Sequence, residues 1–170
     1  MRLTKSTENI LTHSYSRVFK YKDFYYAISA PGLLYRSKDG LKDFAIRTRW
    51  LLENKTPHSS VYLKDNKLFV FYTQIGDNQE HIMYSQIDLG SEDWNDWRGT
   101  KPMSLLFPEF DWEGRNIEKK PSLVDKVPFK VNQLRDPYVF EDIDNRKYLF
   151  YTGGGEQAIG IRILKFNNYE

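Results

Sequence analysis

Three segments of this chain follow one plan, and a repeat of this kind constrains the fold more than any single strand does. They read SRVFKYKDFYYAISAPGLLYRSKDGL, SSVYLKDNKLFVFYTQIGDNQEHIMYSQIDL and PYVFEDIDNRKYLFYTGGGEQAIGIRIL. Each has an apolar strand, a polar turn, a second strand ending in an aromatic and a small polar residue, a Gly-containing connection and a third strand. FYT stands in equivalent places twice, at 71–73 and 150–152. Repeated three- or four-stranded antiparallel units that bury both faces against their neighbours are the signature of a β-propeller.

Helical periodicity is scarce, and short runs of β-branched and aromatic residues bounded by Gly, Asp, Asn and Lys recur throughout. The fold class is all-β. The pattern predicts strands near 15–21, 24–29, 32–37, 59–63, 68–74, 81–88, 138–141, 147–152 and 159–165. Asp65-Asn66 and Asp144-Asn145 supply turns between antiparallel neighbours. The expected organisation is a single partial propeller domain over 1–170, with blades near 14–50, 58–100 and 133–166 and a long insertion over 90–132. That insertion carries WNDW at 94–97 and DWEG at 111–114. Its Trp94, Trp97 and Trp112 suit either sugar platforms or blade-to-blade packing.

A propeller closes with about four to eight blades, and this chain supplies three. Either it belongs to a larger propeller, or its exposed blade faces are covered by another copy, which makes a homo-oligomer the expected partner state.

Composition narrows the classes of function. Aromatic residues make up 16% of the chain, a bias that suits both pleated surfaces and sugar-contacting clefts. Net charge is +2, with basic and acidic residues interleaved; even the most basic segment, Arg36, Lys38, Lys42, Arg47 and Arg49, encloses Asp39 and Asp43. Nucleic acid is not the expected partner. The absence of cysteine excludes disulfides and thiolate metal ligation, and three histidines make a His-rich zinc site improbable. No window reaches the roughly 18 apolar residues of a membrane span, and MRLTKSTENILTH lacks the apolar core of a secretion signal. No membrane association is expected, and the compartment is cytoplasmic if Met1 is the true start.

The ordered set SRVFKYKDFYYA, LLYRSKDGL, PHSSVYL, FYTQIGDNQEHI, DWNDWR, FDWEG, QLRDPYVFED and YLFYTGGGEQAIGI resembles the glycoside-hydrolase-like five-bladed propeller proteins related to glycosidase family 43. The resemblance runs from about Ser14 onward and covers the C-terminal part of such proteins, which have roughly two further blades before it. It implies a pocket at the central axis lined by carboxylates from several blades.

Glycoside hydrolysis uses one protonated carboxyl and one carboxylate, about 5 to 10 Å apart depending on stereochemical outcome. Asp136 in the Arg-Asp-Pro step is expected at a strand entry, where Pro137 costs no ladder bond. By resemblance it binds sugar hydroxyls and supports oxocarbenium-like charge; an ion pair with Arg135 is the alternative. Glu80 in IGDNQE and Glu156 in GGGE occupy related positions after the second strands of their blades. Either suits a general acid if burial raises its pKa, or a turn carboxylate capping backbone N–H groups. Asp77, His58 and Arg135 complete the set as substrate contacts. No metal ligand set is assigned and no cofactor is expected, although Ca²⁺ held by carboxylates and carbonyls at the axis stays open. The expected function is glycoside-hydrolase-like, acting on or binding a carbohydrate. The alternatives are a non-catalytic glycan-binding or assembly module and an incomplete propeller that dimerises.

Overall fold

A computed structural model describes residues 10–52, 56, 58–124 and 127–166. The strands are β1 (Arg17–Tyr21), β2 (Phe24–Ser29), β3 (Leu33–Ser37), β4 (Ala45–Ile46), β5 (Ser59–Lys64), β6 (Lys67–Tyr72), β7 (Ile82–Asp88), β8 (Met103–Leu106), β9 (Leu134–Glu141), β10 (Lys147–Gly153) and β11 (Ala158–Leu164), with a 3₁₀ turn at Asp111–Glu113. They form three antiparallel sheets, ordered β1-β2-β3-β4, β5-β6-β7-β8 and β11-β10-β9. The three longer strands of each sheet come from one of the sequence repeats. The short outer strands β4 and β8 lie outside the predicted set; two and four residues are too few to show an alternation.

Tight hairpins follow from local chemistry. Asp65 takes the left-handed conformation, φ 54°, in the predicted β5–β6 turn, and Asn145, φ 62°, does so between β9 and β10. Short polar side chains tolerate that region best after glycine.

Alternation then assigns the faces. Phe19, Tyr21, Tyr26, Ile28 and Leu34 of the first sheet pack on Leu68, Val70, Tyr72, Met83 and Ile87 of the second. The opposite face of the second sheet, with Phe71, Ile82 and Leu106, packs on Leu134, Leu149 and Tyr151 of the third. The sheets thus stack face to face in chain order, and β5 adjoins both β1 and β9. Trp94 and Trp97 are buried in the first interface, where Trp97 packs on Tyr26 at 4.9 Å between ring centroids. They serve packing and are not sugar platforms.

Trp112 lies on the third sheet, 6.1 Å from the Tyr151 ring, and glycine makes room for it. A Cβ at Gly153 would meet Trp112 at 2.6 Å, and one at Gly160 would meet Tyr151 at 2.5 Å and Trp112 at 2.6 Å. Beside it Glu113 is fully buried. Its carboxylate accepts from the Tyr151 hydroxyl at 2.5 Å and from the N–H groups of Glu109 and Phe110 at 2.5 and 3.0 Å. DWEG is therefore a clamp that fastens the long insertion to the third sheet.

Candidate functional site

β9 begins at Leu134, four residues before the predicted start, and Asp136 lies inside it. Thr152 of β10 pairs with Arg135 while Phe150 pairs with Tyr138, so β9 carries one extra residue over this stretch. Asp136 has φ 50° there. A bulge of this kind bends the strand and re-aims a side chain, and it accommodates Pro137, which has no N–H to donate to the ladder. The Asp-Pro step is thus a strand irregularity and not a strand entry.

The re-aimed Asp136 carboxylate accepts a hydrogen bond from Nδ1 of His58, just before β5, and a second from Thr152 Oγ1 at 3.1 Å. The ring of Tyr15 packs on His58 at 4.0 Å between centroids. Burial is the largest influence on Asp136 and pushes its pKa up. The hydrogen bond and charge of His58, the Thr152 hydroxyl and the charge of Arg135 outweigh it, and the net displacement is downward.

Arg135, 6% exposed, gathers the other acids. Its Nε lies 2.9 Å from Glu80 Oε2 and one terminal nitrogen lies 3.1 Å from Glu156 Oε1. The other terminal nitrogen donates to Gln133 Oε1 at 2.9 Å and to the Leu123 carbonyl at 3.2 Å. Glu80 is 1% exposed and accepts from Thr73 Oγ1 at 2.6 Å. Burial dominates and raises its pKa, against the lowering by Thr73 and Arg135. Glu156 comes from a left-handed run, with φ 68°, 73° and 73° at Gly154, Gly155 and Glu156, that turns β10 into β11. The glycines have packing duties as well: a Cβ at Gly155 would meet Val131 at 2.4 Å.

His58, Thr73, Glu80, Arg135, Asp136 and Glu156 line one small cavity of about 40 Å³, capped by Ile75, Leu123 and Val124. Five of the six predicted site residues meet there. Asp77 does not line it; its backbone carbonyl accepts from the Ser122 N–H at 3.2 Å. A cleft of about 930 Å³ lies between the second sheet and the end of β11, lined by Phe69, Phe71, Tyr84, Leu164 and Phe166, and holds none of the predicted residues. Among the described residues no group of three or more His, Cys, Asp or Glu is placed to hold a metal ion, and no helix is long and apolar enough to cross a membrane.

Sequence reasoning overlooked Thr73 and Thr152, although the repeated FYT already marked them. The two equivalent threonines hold different acids, Glu80 in the β6–β7 connection and Asp136 in β9. Chemically the site offers two carboxyl groups pushed in opposite directions, a pattern that separates a proton donor from a charged acceptor.

No protein-family model matches the chain. It is 33% identical over 168 residues to the uncharacterized protein R118 of Acanthamoeba polyphaga mimivirus, an alignment covering 89% of this chain and 47% of that protein. The chain therefore spans about half the length of this curated relative. Among solved structures it is similar to an exo-1,5-α-L-arabinanase from a bovine ruminal metagenomic library, with TM-score 0.58 and 13% identity, covering 96% of this chain and 54% of that one. An endo-1,5-α-L-arabinanase from Thermotoga petrophila RKU-1 gives TM-score 0.55 and 15% identity, over 91% of this chain and 38% of that one. The arabinanase of Cellvibrio cellulosa gives 0.53 and 14%, over 93% and 49%. The fold is that of the family-43-type arabinanases, of which this chain matches a part.

Proposed function

We propose that this protein is glycoside-hydrolase-like and engages a carbohydrate at the cavity where Arg135 and His58 gather Glu80, Glu156 and Asp136. The supporting observation is the convergence of these three acids from two sheets, in a fold shared with arabinanases. In this reading the three sheets are three blades of a propeller and the cavity faces its axis. Asp136, held ionised by His58, binds hydroxyls and supports positive charge developing at the anomeric carbon. Glu80, whose burial favours the protonated form, is the proton donor to the leaving oxygen. Glu156 is the more accessible second carboxyl group, and His58 and Arg135 are sugar contacts.

The arabinanase neighbours make α-L-arabinofuranosides and 1,5-linked arabino-oligosaccharides the first substrates to try, within a wider panel of aryl glycosides. Turnover by the wild-type chain that falls at least 100-fold in both Asp136→Asn and Glu80→Gln supports hydrolysis. Its absence on every substrate with well-folded protein argues against it.

One observation favours a second reading, glycan binding without turnover: each acid already has protein partners, Thr73 and Arg135 for Glu80, Arg135 for Glu156, and His58 and Thr152 for Asp136. Saturable heat of binding for an arabino-oligosaccharide, with no reducing sugar released, distinguishes this reading from the first.

A further inference from the structure

Tyr15 brings the first repeat to a site otherwise built from the second and third. It stands two residues before β1, and His58 stands just before β5, the strand that adjoins both β1 and β9. The Tyr15 ring lies 4.0 Å between centroids from the His58 imidazole, tilted by 48°. It is nonetheless 55% exposed and belongs to neither core cluster.

Its backbone is strained. Tyr15 has φ 56° and is the only aromatic among the described residues in the left-handed region. Lys22, Asp65 and Asn145 take that conformation in hairpin turns, and Asp136 and Glu156 take it at the site, whereas Tyr15 closes no hairpin. A bulky side chain is unfavourable there, so an outlier of this kind points to a use for the side chain. The neighbours of Tyr15, and not its ring, pin the segment to the first sheet. His13 Nδ1 and the Tyr35 hydroxyl share a hydrogen bond, the Ser14 carbonyl accepts from the Ala30 N–H at 3.1 Å, and Ser16 Oγ accepts from Ser29 Oγ at 3.0 Å.

The site opens toward this ring. The His58 and Asp136 side chains are 31 and 30% exposed and Glu156 is likewise partly exposed, whereas Glu80 and Arg135 lie buried behind them. Tyr15 stands at the His58 end of that opening. The cavity itself, about 40 Å³, has room for water but not for a whole sugar ring, so an oligosaccharide held here extends past the rim. An aromatic ring with an open face offers the apolar face of a sugar a surface to pack on.

We propose that Tyr15 is a stacking platform for one ring of an oligosaccharide bound at the His58–Asp136 end of the site. This rests on the carbohydrate reading of the same site.

The test is calorimetric titration of the intact chain with 1,5-linked arabinotriose and with xylotriose, for wild type, Tyr15→Phe and Tyr15→Gly. Glycine adopts the left-handed conformation without strain, so Tyr15→Gly removes the ring and leaves the segment able to form. Tyr15→Phe is expected to bind as the wild type does, and Tyr15→Gly about 10-fold more weakly, the scale of one aromatic contact. The urea midpoint of Tyr15→Gly should be no lower than that of the wild type. Unchanged affinity in Tyr15→Gly overturns the platform and leaves the carbohydrate reading standing. A lowered urea midpoint in Tyr15→Gly also overturns it, because the ring then serves folding, and a loss shared by Tyr15→Phe does so by assigning the effect to the hydroxyl. Wild-type protein that binds neither trisaccharide overturns both the platform and the reading beneath it.

Discussion

His58 donates from Nδ1 to Asp136 across the boundary between the second and third sheets, joining residues 78 apart in sequence. A left-handed aspartate in a bulge is conformationally costly, and here His58 and Thr152 together hold its carboxylate in place.

Because the folded-state pKa of Asp136 is lowered, the stability it contributes is fully present above the ordinary aspartate value, near ~3.9. It is lost as pH falls through the folded value. Asp136→Asn should therefore be less stable than wild type at neutral pH, with the gap closing below about pH 4. Thermal melts of both proteins between neutral pH and the acid transition read this directly. A gap that stays constant to the acid limit contradicts the assignment.

Glu80 runs the other way. Its raised folded-state pKa means that the contribution from proton binding is fully present below the ordinary glutamate value and declines as pH rises through the folded one. The stability difference between wild type and Glu80→Gln should be larger near pH 4 than near pH 8, checked by urea titration at the two values.

Arg135→Met removes the cation between two acids and leaves Glu80 buried without its ion-pair partner. The expected cost is about 3–5 kcal/mol, the range for breaking one side of a buried pair. Chemical denaturation measures it. Arg135→Lys should recover only part, because a single ammonium cannot reproduce the guanidinium's reach to Glu80, Glu156 and Gln133 together.

Thr73→Val deletes the hydroxyl that donates to buried Glu80, and a hydrogen bond to a charged group is worth about 1.5–3 kcal/mol. Thr152→Val, at a partly exposed position, should cost less in stability. In a binding assay it should weaken the carbohydrate interaction through Asp136. Equal stability losses for the two would show that the equivalent threonines are used alike.

At Gly153 the obstacle to a side chain is Trp112 and not backbone conformation, since its φ lies outside the left-handed region. Gly153→Ala should destabilise by about 1–3 kcal/mol through overpacking. In a Trp112→Phe background the same change should cost less. A double-mutant cycle returns that coupling, and additive losses would place the strain elsewhere.

The three sheets were legible because each is a contiguous repeat with its own alternation, so FYT and the Asp-Asn turns located their strands. What escaped was set by pairing geometry. The extra residue around Asp136 becomes visible only when β9 is laid against β10, and a strand as short as Ala45–Ile46 has no pattern of its own. The roles of Gly153 and Gly160 were equally hidden, since their neighbour Trp112 comes from some forty residues upstream. Five of the predicted residues come together in one cavity because acids and their partners recur at strand ends. Asp77 is suggested by its proximity in sequence to Glu80, and it is not among the residues that line the cavity.

Among the described residues each ladder joins strands that are neighbours along the chain, and between sheets the core contacts are made by side chains. Each sheet can therefore complete its own ladder before the next is made, with little loop-closure entropy to overcome, and only a few backbone groups, such as the N–H groups of Leu134 and Val139 that donate to the Glu80 carbonyl and Ser60 Oγ, wait for the neighbouring sheet. Opening events should come in units of a whole sheet, and amide exchange should fall into as many cooperative groups as there are sheets. The second sheet, covered on both faces, should exchange last.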